Sequence, residues 1–202
     1  MHRYFSGCGL VIMVLIATVP MRAAVRTFTT MNNACIRTLE PASNYNGAAL
    51  ASFPGLNAPG GSPIGGMLMA GFDVAAYKGY EVVGDAILTW GVMWTQEPLT
   101  FGFACRPLLS NWIENTVTWD NYVGSDTTGT AYQLVVGPAM SSVTVLSNIT
   151  YRWLVSNDVM QAWLDDPTLI HGLALVPMTG GGNSLFVARS ANWWPDKIAT
   201  LI

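Results

Sequence analysis

The chain has 202 residues, 51% of them hydrophobic and only 10% charged, with nine Lys and Arg set against twelve Asp and Glu. A formal charge of -3 offers no basic surface to a polyanion, which sets nucleic acid aside as a partner. Three cysteines and two histidines are too few for a Cys/His metal cluster.

The first segment, Leu10 to Val19, is almost wholly apolar and follows His2 and Arg3. It is shorter than the roughly 20 residues that a membrane-spanning helix needs, and Ala23 and Ala24 supply small residues at a cleavage point. Residues 1–24 therefore read as a signal peptide, and the protein is expected to be secreted, extracellular or at the cell surface. No other segment reads as a transmembrane span. The remaining 178 residues, 25–202, suit one domain. Without Arg3 and Arg22, seven cations face twelve carboxylates, a formal charge of -5. Cys35 and Cys105 then form an even pair, compatible in an oxidising compartment with one disulfide or with two separated core thiols.

Along that domain the pattern has period two. Met67-Leu68-Met69 leads to Phe72-Asp73-Val74, after which Ala86, Leu88, Trp90, Val92 and Trp94 take alternate positions. Phe101, Phe103 and Cys105 alternate with small residues, and short apolar runs follow at 134–136, 143–146, 173–176 and 185–187. Gly and Pro collect between them in 53–66, at Pro138 and in Gly180-Gly181-Gly182. Eight or more short strands predict an all-β sandwich or barrel. One short helix is expected from Asn157 or Asp158 through Leu164, capped by Asn or Asp, with Val159, Ala162 and Trp163 facing inward and Asp165-Asp166-Pro167 as its stop.

Three groups of words, Trp112-x-Glu114-x-x-Val117-Thr118-Trp119, Asp158-Val159-x-x-x-Trp163 and Gly172-Leu173-Ala174-Leu175, resemble in content and order the DNRLRE domain, also described as the family 96 carbohydrate-binding module. Asn44-Tyr45-Asn46-Gly47, Met67 to Val74, Val82 to Leu88 and Phe186 to Ser190 are similar to further segments of that family, so the resemblance covers residues 25–202. It implies a jelly-roll-like β-sandwich of two antiparallel sheets, an accessory module of cell-surface or polysaccharide-acting proteins. Gly71 stands where the family usually has Arg before Phe-Asp, and Ala188-Arg189-Ser190 where it has Ser-Arg-Glu.

Glu97, Glu114 and Asp120 are the carboxylates that general acid/base work on a sugar would draw on, but nothing in their spacing pairs them, and Glu114 reads as an acceptor for backbone or hydroxyl groups. An enzyme is not expected. Asp73, Asp126, Asp158, Asp165 and Asp166 are hard-oxygen donors of the kind a structural calcium takes, with no EF-hand spacing. No cofactor is expected. Sugar rings present C–H faces that pack on indoles and phenols while amides bond their hydroxyls. Trp193 and Trp194 with Asn192, Tyr45 with Asn44, and Tyr122 are accordingly the expected carbohydrate-binding residues, and Trp90, Trp94, Trp112, Trp119 and Trp163 the expected core. The reading is a non-catalytic extracellular module that binds a polysaccharide or cell-surface glycan. The alternative is a structural cell-surface or filament-forming protein that self-associates, for which the mean hydropathy of +0.36 and low charge speak.

Overall fold

A computed structural model describes residues 24–38, 40–46, 50–52, 65–95, 102–124, 131–145, 150–178, 186–188 and 200–202. All but the last residue of the expected signal peptide lies outside these, as do Asn192, Trp193, Trp194, Glu97, Asp126 and the glycine run 180–182. In chain order the elements are β1 (Phe28–Thr29), β2 (Asn32–Arg37), β3 (Leu50–Ser52), β4 (Gly66–Gly71), β5 (Ala86–Thr95), β6 (Gly102–Pro107), α1 (Trp119–Tyr122), β7 (Ser141–Thr144), β8 (Thr150–Val155), α2 (Asn157–Asp165), β9 (Leu173–Pro177), β10 (Phe186–Ala188) and β11 (Thr200–Leu201).

The strands form two antiparallel sheets. One runs β2-β4-β9-β6-β7. The other is built on β5, which pairs with β8 along residues 86–91, with β11 at Leu88 and Thr89, and with β10 from Val92 to Thr95; β1 and β3 extend it. Alternation decides what each strand buries. Leu88 and Trp90 of β5 and Trp153 and Val155 of β8 point inward, where they meet Cys35, Leu68, Phe103, Cys105 and Leu175 of the facing sheet in one core. Two sheets sharing one core is the arrangement of a β-sandwich. Trp153 is fully buried, and its indole N–H crosses the core to donate to the Phe103 carbonyl at 2.9 Å.

The central strands of the five-stranded sheet, β4 and β9, are buried on both faces, which the two-sheet expectation did not include. Met67, Met69, Ala174 and Val176 point away from the sandwich into a second core with Ala34, Ile36, Val117, Trp119 and Tyr132. The connection from β6 to β7 lays Val117, Trp119 and Tyr132 over that outer face. A strand covered on both sides has no polar face, which is why β4 and β9 read as unbroken apolar runs, Met-Leu-Met-Ala and Leu-Ala-Leu-Val.

The expected helix is α2, one residue longer at its C-terminal end than read from sequence. Ser156 occupies the cap position without a side-chain bond, so neither Asn157 nor Asp158 is the cap; Asp158 lies in the first turn, facing the positive end of the helix dipole. Met160, Trp163 and Leu164 are buried, with Val159 packed partly against them. After Asp166 the chain makes a single 3-10 turn from Pro167 to Leu169, with the Asp166 carboxylate accepting from the Thr168 amide. A second helical turn, α1, was not expected. It is held by a capping box in which Thr118 accepts from the Asn121 amide and the Asn121 side chain from the Thr118 amide.

The disulfide alternative fails on sheet register. Cys35 lies opposite Leu68, Leu68 opposite Leu175, and Leu175 opposite Cys105. Two strands therefore separate the cysteines, about 14 Å at the usual strand spacing. A disulfide tolerates no more than about 7 Å between Cα atoms. Both thiols are buried, and burial pushes Cys105 up to about 12. We expect that a thiol reagent labels neither cysteine until the domain is unfolded and that reductant leaves the melting temperature unchanged. A Cys35–Cys105 disulfide peptide in a non-reducing digest would contradict this register.

Candidate functional site

Beyond β6 the chain must cross from the sandwich to the outer face of the five-stranded sheet, and the groups that fasten this crossing also shape a surface cleft. Asn44 donates both amide protons, to the carbonyls of Glu114 at 2.8 Å and Val117 at 2.6 Å. Tyr122 donates its hydroxyl to the Ser110 carbonyl at 3.0 Å, and burial pushes its phenol above the usual range. The Trp112 indole N–H donates to the His171 carbonyl at 2.9 Å. Asn44 and Tyr122, expected to touch sugar, are thus engaged in holding residues 110–122.

Glu114 accepts the backbone amide of Asn33 at 3.0 Å, and the Tyr45 carbonyl accepts that of Cys35 at 3.1 Å. Both amides point outward from β2, the edge strand of its sheet, so carboxylate and carbonyl close the edge against a further strand. The Tyr45 ring lies 3.8 Å beneath the Arg37 guanidinium, a cation–π contact that covers one face. Asp120 is exposed on α1.

The cleft, about 190 Å³, opens where β2 begins, β4 ends and the chain enters β9. Asn32, Asn111 and His171 supply its polar groups, the half-buried Trp112 an indole, and Met31 and Ile170 apolar contacts. His171 Nδ1 stands 2.7 Å from Asn111 Oδ1; with that oxygen accepting, the ring proton sits on Nδ1 and Nε2 is left to a ligand. Two glycines make the space. Gly172, at φ +100°, lets the chain turn hard against Ala70 as it leaves His171. A Cβ at Gly71 would point between Asn32 Cβ at 3.5 Å and Trp112 Cζ2 at 3.6 Å, into the cleft at ordinary contact distance. A long side chain at position 71 would fill this space, so glycine there keeps the cleft open.

Of the residues expected to bind, the described ones, Asn44, Tyr45 and Tyr122, lie outside the cleft lining. Asn32 and Asn111 were not singled out, and the histidines were weighed only for a metal cluster; the pairs Asn32-Asn33 and Asn111-Trp112 were the available signal. Trp90, Trp119 and Trp163 are core residues as expected, each no more than 3% exposed. Asp73 and Asp166 cap local turns through Ala75 and Thr168, and Asp165 accepts from Gln161. Among the described residues no three His, Cys, Asp or Glu side chains converge to hold a metal ion, and no helix is long and apolar enough to cross a membrane. A scan against known family models and a search of curated proteins both find no match.

Proposed function

We propose that this chain is an exported, non-catalytic carbohydrate-binding module with the jelly-roll-like strand plan of the DNRLRE domain, and that it holds a polysaccharide or matrix glycan in the cleft at Gly71. The observation that carries the reading is the composition of that cleft. An indole edge offers apolar contact to a ring's C–H face, while two side-chain amides and an imidazole supply donors and acceptors for hydroxyls. Few contacts in a shallow site leave little surplus after the costs of ordering, so affinity is weak and rests on repetition along a polymer. Glu114 supports a binding rather than a hydrolytic role, since its carboxylate is committed to a backbone amide. Trp193, Trp194 and Asn192 remain proposed contacts from sequence.

A structural, self-associating protein is the second reading, and one observation favours it. Ile113 and Leu134, carried by the connection between β6 and β7, are 68% and 80% exposed. A glycan array probed with residues 25–202, with a reducing-end assay on the same mixtures, separates the two. Retention on at least one polysaccharide without new reducing ends is expected. Release of reducing ends would make the protein an enzyme, and no retention together with concentration-dependent growth in sedimentation velocity would make it structural.

A further inference from the structure

At the margin of the sandwich core, against which Phe28 and Tyr77 pack, stands an aromatic cluster with one ring left open. Tyr80 is 61% exposed, yet its backbone is fixed from three directions. Its amide donates to the Tyr77 carbonyl at 3.0 Å, the preceding Gly79 amide to the Leu164 carbonyl at 2.9 Å, and Gln161 of α2 donates to the Tyr80 carbonyl while accepting from the Val82 amide. Gly79, at φ +81°, is what lets the chain make this turn. Beside Tyr80 the Tyr77 ring stands edge-on at 5.6 Å, buttressed by Phe28 at 5.3 Å and by the Arg26 guanidinium at 5.6 Å. Exposed Lys78 and Glu81 flank the rings with a cation and an acceptor.

We propose that Tyr80, backed by Tyr77, is a second sugar-stacking platform of this module, one that takes the C–H face of a pyranose ring. The inference rests on the carbohydrate-binding reading and extends it to a surface that sequence reasoning did not reach. A phenol has few rotamers to lose, and here its backbone is already clamped, so stacking a ring on it carries a small ordering cost. Its polar surroundings suit hydroxyls. The platform and the cleft also hang from the same two segments: Met31 lines the cleft three residues after Phe28, and Phe72 lines it five residues before Tyr77. At most about 10 Å of chain separates Phe28 from Met31.

Native gels cast with mixed-linkage β-glucan, xylan, galactomannan or a polyuronate test the proposal, with melting temperatures measured in parallel. Against the polysaccharide that retards the wild type, Tyr80→Ala is expected to weaken retention about 3- to 10-fold, the equivalent of one aromatic stacking contact. Tyr80→Phe, which keeps the ring, is expected to stay within about twofold of wild type, and neither change should move the melting temperature, because the side chain is largely in solvent. Wild-type retention by Tyr80→Ala, with Gly71→Arg abolishing it, would overturn the platform and leave the cleft standing. Failure of every polysaccharide to retard the wild type would overturn both.

Discussion

Replacing Trp153 with alanine is expected to destabilise the domain by about 3 to 5 kcal/mol, the cost of truncating a large aromatic in a packed core. Three effects act together. The indole is fully buried and central among the side chains shared by the two sheets, so its removal leaves a cavity lined by Leu88, Phe103 and their neighbours. The bond from its ring N–H to the Phe103 carbonyl is lost, and no solvent reaches that carbonyl to replace it. The bond also joins a residue of β8 to one of β6, so both sheets loosen. For a domain of this size the loss corresponds to a melting temperature lower by about 10 °C. Trp153→Phe keeps most of the volume and is expected to cost less than half as much. Urea denaturation that finds Trp153→Ala within about 1 kcal/mol of wild type would mean that the two sheets do not close on this residue.

Gly172→Ala is expected to be nearly as damaging although it adds a single methyl group. At φ +100° an L-residue is strained whatever the space around it, at a cost of order 1 to 3 kcal/mol. Here the space is missing as well. An added Cβ would press into the Ala70 carbonyl oxygen and stand 3.2 Å from Gly71 Cα, both backbone of the neighbouring strand β4. Backbone cannot rotate aside as a side chain can, so β4 and the start of β9 must part. The Gly172 carbonyl also accepts the Leu108 amide at 2.9 Å, which ties the exit from β6 to the same point. A loss of about 3 kcal/mol or more is expected, with weakened glycan retention because His171 and Gly71 move with it. By contrast, Gly84 at φ +93° has nothing within 4 Å of an added Cβ, so Gly84→Ala should show the strain alone. Equal melting temperatures for the two variants would refute the crowding at Gly172.

These contrasts bear on what a sequence can disclose. Strands were legible where apolar residues alternate, as in β5, where Ala86, Leu88 and Trp90 are buried and Ile87 and Thr89 only partly so, whereas β8 went unread although Trp153 and Val155 face the core. They were also legible where both faces are covered, because Met-Leu-Met-Ala and Leu-Ala-Leu-Val have no room for polar residues. Of the stripe expected for α2, Trp163 is buried while Val159 and Ala162 are only half-buried, with Met160 and Leu164 completing the inward face, and the cap was not readable, since Ser156 makes no side-chain bond that would mark it. The layer over the outer face escaped notice because Val117 and Trp119 lie in a connection without regular period, and only the Thr118–Asn121 box signals its single turn of helix. The cleft was hidden for a different reason. Residues 31–32, 71, 111–112 and 171–172 are brought together by pairing of β2 with β4 and β4 with β9, and no local pattern encodes that meeting. Asn44 shows the converse: its loop setting suggested ligand contact, while its two protons are spent on the carbonyls of Glu114 and Val117.

The position of Gly71 allows the binding account to be tested without disturbing the fold. A Cβ there meets its neighbours at ordinary contact distance, so a long side chain grows into the cleft instead of into a core. The most direct measurement is a calorimetric titration of wild type and Gly71→Arg with the polysaccharide that the array ranks highest. Saturable heat from the wild type, none from Gly71→Arg, and melting temperatures within about 2 °C of each other are the results expected of a cleft that binds sugar. Equal heats from the two proteins would contradict it.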